Sequence, residues 1–136
     1  MLNRLQNPLA LAARILMALL FLPEGIGKIA HFSATVGYIV GAGLPWPELG
    51  ALLAIALEVG ASLALLAGFQ TRWMALLLAT FCLATALLFH PFWAAAADQA
   101  MLQQIMFFKN LALAGGLLML SAFGAGAWSV DARRNT

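Results

Sequence analysis

Residues 49–69 read Leu-Gly-Ala-Leu-Leu-Ala-Ile-Ala-Leu-Glu-Val-Gly-Ala-Ser-Leu-Ala-Leu-Leu-Ala-Gly-Phe, with Glu58 as their one charge. A helix needs about 20 largely apolar residues to cross a bilayer, and this stretch supplies them. Three further segments qualify on the same ground. Residues 8–29 carry Arg14, Glu24 and Lys28, residues 73–90 have no acidic or basic side chain before His90, and residues 104–123 carry only Lys109. The pattern predicts an all-α fold: one integral membrane domain over residues 1–136, built as a four-helix transmembrane bundle.

Bulk composition agrees. The 136 residues are 64% hydrophobic and 9% charged, with a mean hydropathy of +0.95. An ordinary soluble domain has roughly 45–50% apolar and about 25% charged residues. So few polar residues cannot cover an apolar core, which excludes a soluble monomer and the disordered and fibrous classes. The net charge of +2 does not mark nucleic-acid binding, because the basic residues are scattered instead of forming one stripe. Cys82 is the only cysteine, which excludes an intrachain disulfide and a CxxC redox pair. Arg4 precedes an apolar run, as in a signal peptide. The run continues Phe-Leu-Pro-Glu-Gly-Ile-Gly-Lys over residues 21–28 with no small-x-small cleavage site, so a retained first helix is expected.

The connections fit four passes. Residues 31–48 hold Gly41, Gly43, Pro45 and Pro47 and read as a loop. Residues 69–72 form a tight turn that makes the second and third helices antiparallel neighbours. Residues 91–103 read as a second loop, and a short tail follows Phe123. Arg4, Arg72, Arg133 and Arg134 fall on one side, whereas neither long loop contains Lys or Arg. The positive-inside rule then places both termini in the cytoplasm. Trp46 and Trp93 mark the outer interface, and Trp73 and Trp128 the inner one. Three stripes of small residues predict close helix packing: Ala56, Gly60, Ala64 and Gly68; Ala75, Ala79, Cys82 and Ala86; and Ala112 with Gly116.

Ionisable groups inside a bilayer cost roughly 2.5–3.5 kcal/mol each on insertion scales, so they should face a partner or a cavity. Arg14, Glu24, Lys28, Glu58 and Lys109 are such groups; Asn110 adds a donor and acceptor, and His90 ends the third helix. At about 1.5 Å per residue, Arg14 and Glu58 differ in depth by less than about 10 Å, within reach of an arginine side chain. Glu24 and Lys109 lie at similar depths, so a pair between them is expected as one option, and Glu24 and Lys28 share a face at i,i+4 spacing. Pro23, with Gly25 and Gly27 nearby, invites a kink. Two readings stand side by side. These groups are structural ion pairs that fix helix register, or they line a pocket for a polar headgroup such as a quinone carbonyl. His31 and His90 lack a haem spacing motif, the carboxylates have basic neighbours that disfavour a metal, and Cys82 on a small-residue stripe reads as an inert packing cysteine. No cofactor motif and no self-contained catalytic motif is encoded, and no residue is assigned a catalytic step.

Arg-Ile-Leu-Met-Ala-Leu-Leu-Phe at 14–21, Glu-Gly-Ile-Gly-Lys at 24–28, Gly-Leu-Pro-Trp-Pro at 43–47, Leu-Glu-Val-Gly at 57–60, Leu-Ala-Gly-Phe-Gln-Thr-Arg at 66–72, His90, Phe-Phe-Lys-Asn-Leu at 107–111 and the tail at 124–131 occur in one order and spacing. Together they resemble the DoxX family of small bacterial membrane proteins, most closely its YphA-like inner-membrane members. The resemblance implies a four-helix bundle with both termini inside, and an association with quinone-linked membrane oxidoreduction. Other superfamily relatives act as assembly factors or cargo receptors. Paired cysteines found in some redox relatives are missing here, which argues against thiol–disulfide chemistry.

The expectation is therefore a quinone- or lipid-binding accessory subunit of a membrane redox system, with Arg14, Glu24, Lys28, Glu58, His90, Lys109 and Asn110 as ligand-binding residues. In that reading Glu58 or His90 exchanges protons, and Lys109 or Asn110 donates to a carbonyl oxygen. The expected partners are the lipid bilayer, a redox subunit that supplies the electron-carrying group, and further copies of the chain, with no nucleic acid. A bound quinone is the one cofactor this reading expects, and haem is not expected. The alternative is a non-enzymatic membrane scaffold or assembly factor for a partner protein.

Overall fold

The computed structural model describes residues 2–134; the side chains of residues 2–4, with the orientation cue expected of Arg4, lie outside the described residues. Helix α1 spans Leu2–Ala30 and α2 spans Phe32–Gly41. The second apolar stretch is α3 (Pro47–Ile55), a π-helical turn (Ala56–Ala61) and α4 (Ser62–Ala67). Then come α5 (Thr71–Phe89), α6 (Ala100–Phe123) and a short α7 (Val130–Arg134). Four units are long and apolar enough to cross a membrane: Leu5–Ala30, Pro47–Ala67, Thr71–Ala94 and Ala100–Phe123. The fold is an all-α membrane bundle, and successive spans alternate in direction, so the two chain ends share one side.

Helix α1 runs through Pro23, as the expected first span does. Other sequence expectations change. Residues 31–48 are not all loop, because α2 occupies Phe32–Gly41 and ends where Gly41, Gly43 and Pro45 gather. The stripe from Ala56 to Gly68 is not a packing face as a whole: Ala56 and Gly60 are exposed, whereas Ala51, Ala54, Glu58, Ala61, Ser62 and Leu65 are buried. The buried positions keep the three- and four-residue spacing of one helix face, and Ala56 and Gly60 lie beside it.

The other stripes fare differently. Ala75, Ala79, Cys82 and Ala86 are all buried, and α5 packs along α6 on that side. On α6, Gly116 faces Met17 but Ala112 is exposed. The core gathers Phe21 of α1, Leu65 of α4, Leu78 and Cys82 of α5, and Ala114, Leu117 and Leu120 of α6. Most large apolar side chains elsewhere are exposed, as a lipid-facing surface requires. Trp73 and Trp128 are exposed on the side of the chain ends, and Trp46 and Trp93 on the opposite, loop side. This two-belt arrangement is the expected one for a bilayer.

Candidate functional site

The charged residues separate into two groups. On the side of the chain ends, Arg14 is fully buried. Its Nη1 donates to the carbonyls of Leu65 and Leu66, each at 3.2 Å, and its Nη2 donates to the carbonyl of Trp128. The last carbonyls of a helix lack intrahelical donors, and a cation there also meets the negative end of the helix dipole. Arg14 therefore caps α4 and ties the tail to it. The chain leaves α4 through Gly68 at φ +68°, where a Cβ would overlap Arg14 Nη1 and Ser129. The N–H of Gly68 donates to Leu65 O and that of Phe69 to Ala64 O, a Schellman pattern.

Asp131 of α7 caps the next helix. The N–H groups of Gln70 and Thr71 donate to its two carboxylate oxygens at 2.7 and 2.9 Å, at the start of α5. Burial would raise the Asp131 carboxyl, but these backbone hydrogen bonds, with help from the Thr71 side chain and Arg134, outweigh it and hold the group below the usual carboxylate range. Arg72 Nη1 donates to Ser121 and Ala122 carbonyls at 3.2 and 2.6 Å, closing the end of α6. A cavity of about 480 Å³ lies among these groups, but its Arg72 and Asp131 are engaged in capping.

The second group lies toward the loop side. Glu58 sits in the π-helical turn with 5% of its surface exposed. Lys28 Nζ reaches both of its carboxylate oxygens, at 3.0 and 2.9 Å, and lies 3.7 Å from Glu24. The i,i+4 partnership of Glu24 and Lys28 is thus present. The expected Arg14–Glu58 and Glu24–Lys109 pairs are not, because Lys28 takes both carboxylates. Gly25 makes this geometry possible: a Cβ there would stand 2.7 Å from Val59 Cγ2 and 2.9 Å from Glu58 Cβ. Only a bare backbone lets α1 approach the π turn so closely.

These residues border a cavity of about 550 Å³, within the roughly 300–1,000 Å³ range of small-molecule sites. Glu24, Lys28, Glu58, His90, Lys109 and Asn110 all line it; Arg14 does not. Six of the seven expected site residues thus converge, and the seventh belongs to the capping network. The wall is mostly apolar, with Phe21, Leu53, Phe81, Leu88, Phe89, Met106 and Leu113. His90 Nδ1 lies 2.8 Å from Gln103 Oε1. No hydrogen bond or ion pair among the described residues engages the side chains of Lys109 and Asn110. His31 is exposed beside the Gly27 carbonyl, away from this lining.

Sequence reasoning missed Thr35 and Tyr38, which enter the cavity from α2, and Gln103, the partner of His90. Tyr38 stacks on Phe89 with ring centroids 5.3 Å apart, which fixes α2 against the end of α5. The apolar run Val-Gly-Tyr-Ile-Val at 36–40 was the available signal for α2. Cys82 also lines the cavity while remaining buried in the core.

Comparison with known proteins gives the same family as the sequence resemblance. The DoxX family description matches residues 9–91. Inner membrane protein YphA of Escherichia coli (strain K12) is 38% identical over 125 residues, covering 92% of this chain and 89% of that protein. Inner membrane protein YqjF of the same organism is 43% identical over 129 residues, covering 95% and 94%. No solved structure matches the chain.

Proposed function

Because the chain belongs to the DoxX family and is a multi-pass inner-membrane protein, we propose that it binds a membrane-soluble molecule with an oxygen-bearing head, a quinone or a lipid, as an accessory to a membrane redox system. The observation that carries this reading is the convergence of Glu24, Lys28, Glu58, His90, Lys109 and Asn110 on one largely apolar cavity of about 550 Å³. A lipid-soluble body suits the apolar wall, and the polar residues suit a head with carbonyl or acidic oxygens. Lys109 and Asn110 donate to the head, while Glu58 or His90 exchanges protons. A partner subunit brings the electron-carrying group. The whole chain works as one transmembrane domain with both termini in the cytoplasm, the orientation that Arg72, Arg133 and Arg134 favour.

The test is to purify the chain in mild detergent, extract it with organic solvent and identify what co-purifies by mass spectrometry. A stoichiometric quinone or lipid is expected, and Glu58→Gln should reduce its retention without unfolding the protein. Empty protein, together with unchanged quinone-dependent activity in Glu58→Gln membranes, would overturn the reading.

A second reading has its own observation. Arg14 is a charge within a candidate span that donates to backbone carbonyls, and the Lys28–Glu58 pair could serve architecture in the same way in a scaffold for a partner protein. In that case Glu58→Gln lowers folded yield and leaves no ligand to lose, and a stoichiometric protein partner is recovered from native membranes.

A further inference from the structure

The cavity has two unlike sides. On the side of α1 and the π turn, Lys28 sits between Glu24 and Glu58, within 3.7 Å of one and 3.0 Å of the other, so each of these charges has a partner. On the side of α6, Lys109 and Asn110 border the same space with no hydrogen bond or ion pair among the described residues. Lysine carries three donors and no acceptor, and asparagine adds two more donors through its amide nitrogen. Lys109 lies nine residues into α6, about 13 Å along its axis, well inside a candidate span. The two carboxylates of the cavity offset its two lysines in sum, but both lie against Lys28, so Lys109 has no counter-charge in contact with it.

We infer that the cavity selects an amphiphile with an anionic head, a carboxylate or a phosphate ester, held by Lys109 and Asn110, with its chain along the apolar wall of Phe81, Leu88 and Met106. This rests on the reading that the cavity binds a membrane-borne amphiphile, and it names the class. The anion supplies the acceptors that Lys109 lacks, and such charge-assisted hydrogen bonds are the stronger kind. A neutral head with the same chain gains the apolar contacts but leaves the Lys109 charge uncompensated, so it binds more weakly.

The experiment is equilibrium binding of labelled ligands to the purified full chain in maltoside micelles. The probes are palmitate, dodecyl phosphate, palmitamide and a short-chain ubiquinone. Palmitate or dodecyl phosphate should bind at least about tenfold more tightly than the two neutral probes. A preference for palmitate indicates a free carboxylate as the source, and one for dodecyl phosphate indicates a phospholipid-type head. Lys109→Met should abolish the preference and Lys109→Arg should keep it. Because Lys109 has no partner to orphan, both variants should melt like the parent protein. Neutral probes that bind as tightly as the anions, or a preference that survives Lys109→Met, overturn the anion selectivity and leave the cavity reading standing. Binding of none of the four probes overturns both.

Discussion

Arg14 and Lys109 are both basic side chains within candidate spans, and the bundle treats them in opposite ways. Arg14 is fully buried and directs its guanidinium at three backbone carbonyls, from Leu65, Leu66 and Trp128. Lys109 is exposed toward a cavity and meets no partner among the described residues. Around Arg14 the other charged groups also close helix ends: Asp131 the start of α5 and Arg72 the end of α6. Around the cavity the Lys28 cluster and the His90–Gln103 pair are partnered, whereas Lys109 and Asn110 have no partner among the described residues. In a low-dielectric setting, a buried cation whose terminal nitrogens go to backbone carbonyls signals architecture, although Arg14 Nε itself has no partner among the described residues, and an unmet donor facing a cavity signals something still to be bound.

If this contrast is right, the largest loss of stability should follow from Arg14→Met. It leaves three carbonyls without their charged donor and opens space beneath the tail. A charge-assisted hydrogen bond is worth roughly 1.5–3 kcal/mol. A loss of about 3 kcal/mol or more is therefore expected, a fall of roughly 10 °C in the melting midpoint measured in detergent. Ligand binding by the folded remainder should be unchanged. A melting midpoint within a degree or two of the parent would break the architectural half of the comparison.

The second effect sharpens the boundary between the two regions. Lys28→Met leaves Glu58 buried without its cation and should cost about 2 kcal/mol or more, because an unpaired buried charge is dearer than a missing pair. Glu58→Gln should cost less, since Lys28 is part exposed and keeps Glu24. A double-mutant cycle of Lys28→Met with Glu58→Leu should recover much of the loss. Additive losses in that cycle would show that the pair is not coupled. Gly25→Ala comes next, at about 1–3 kcal/mol, from overpacking α1 against Glu58 and Val59. It should also weaken ligand binding, because it moves the π turn that carries Glu58, whereas an equal loss of stability from the tail should not.

How much of this was readable in the sequence differs between the two regions for a physical reason. Hydropathy located the four spans, because length and apolarity are one-dimensional properties. Depth along a helix was readable too, so the gathering of Glu24, Lys28, Glu58, His90, Lys109 and Asn110 at one cavity could be anticipated. Rotation about the helix axis was not. The π turn at Ala56–Ala61 has no sequence signature of its own, and the face that is buried along it runs through Ala51, Ala54, Glu58, Ala61 and Leu65 instead of the four-residue stripe from Ala56 to Gly68. The place of Arg14 outside the cavity was hidden for a related reason. Its partners are backbone carbonyls, which every residue carries and no residue type announces. The same holds for Arg72, whose role in closing α6 was hidden behind its role in orientation.

The smallest expected effect tests whether the capping network reaches the tail. Asp131 is only lightly buried, so Asp131→Asn should cost about 0.5 kcal/mol once solvent screening is allowed for. Its pH signature is more telling than its size. The folded carboxyl lies below its ordinary value of 3.8 because the Thr71 and Gln70 N–H groups stabilise the charged form against the opposing effect of burial. A depressed folded-state value means that the unfolded chain takes up the proton first as pH falls. The stabilisation is therefore complete above the ordinary carboxyl value and is lost as pH falls below it through the folded one. The melting midpoints of the parent and Asp131→Asn should thus differ at neutral pH and converge below about pH 4. A gap that stays constant across that window would mean that Asp131 acts through shape instead of charge. The tail would then be held by Arg14 and the Asn7 side chain, whose Oδ1 accepts from the Ala127 N–H at 2.9 Å.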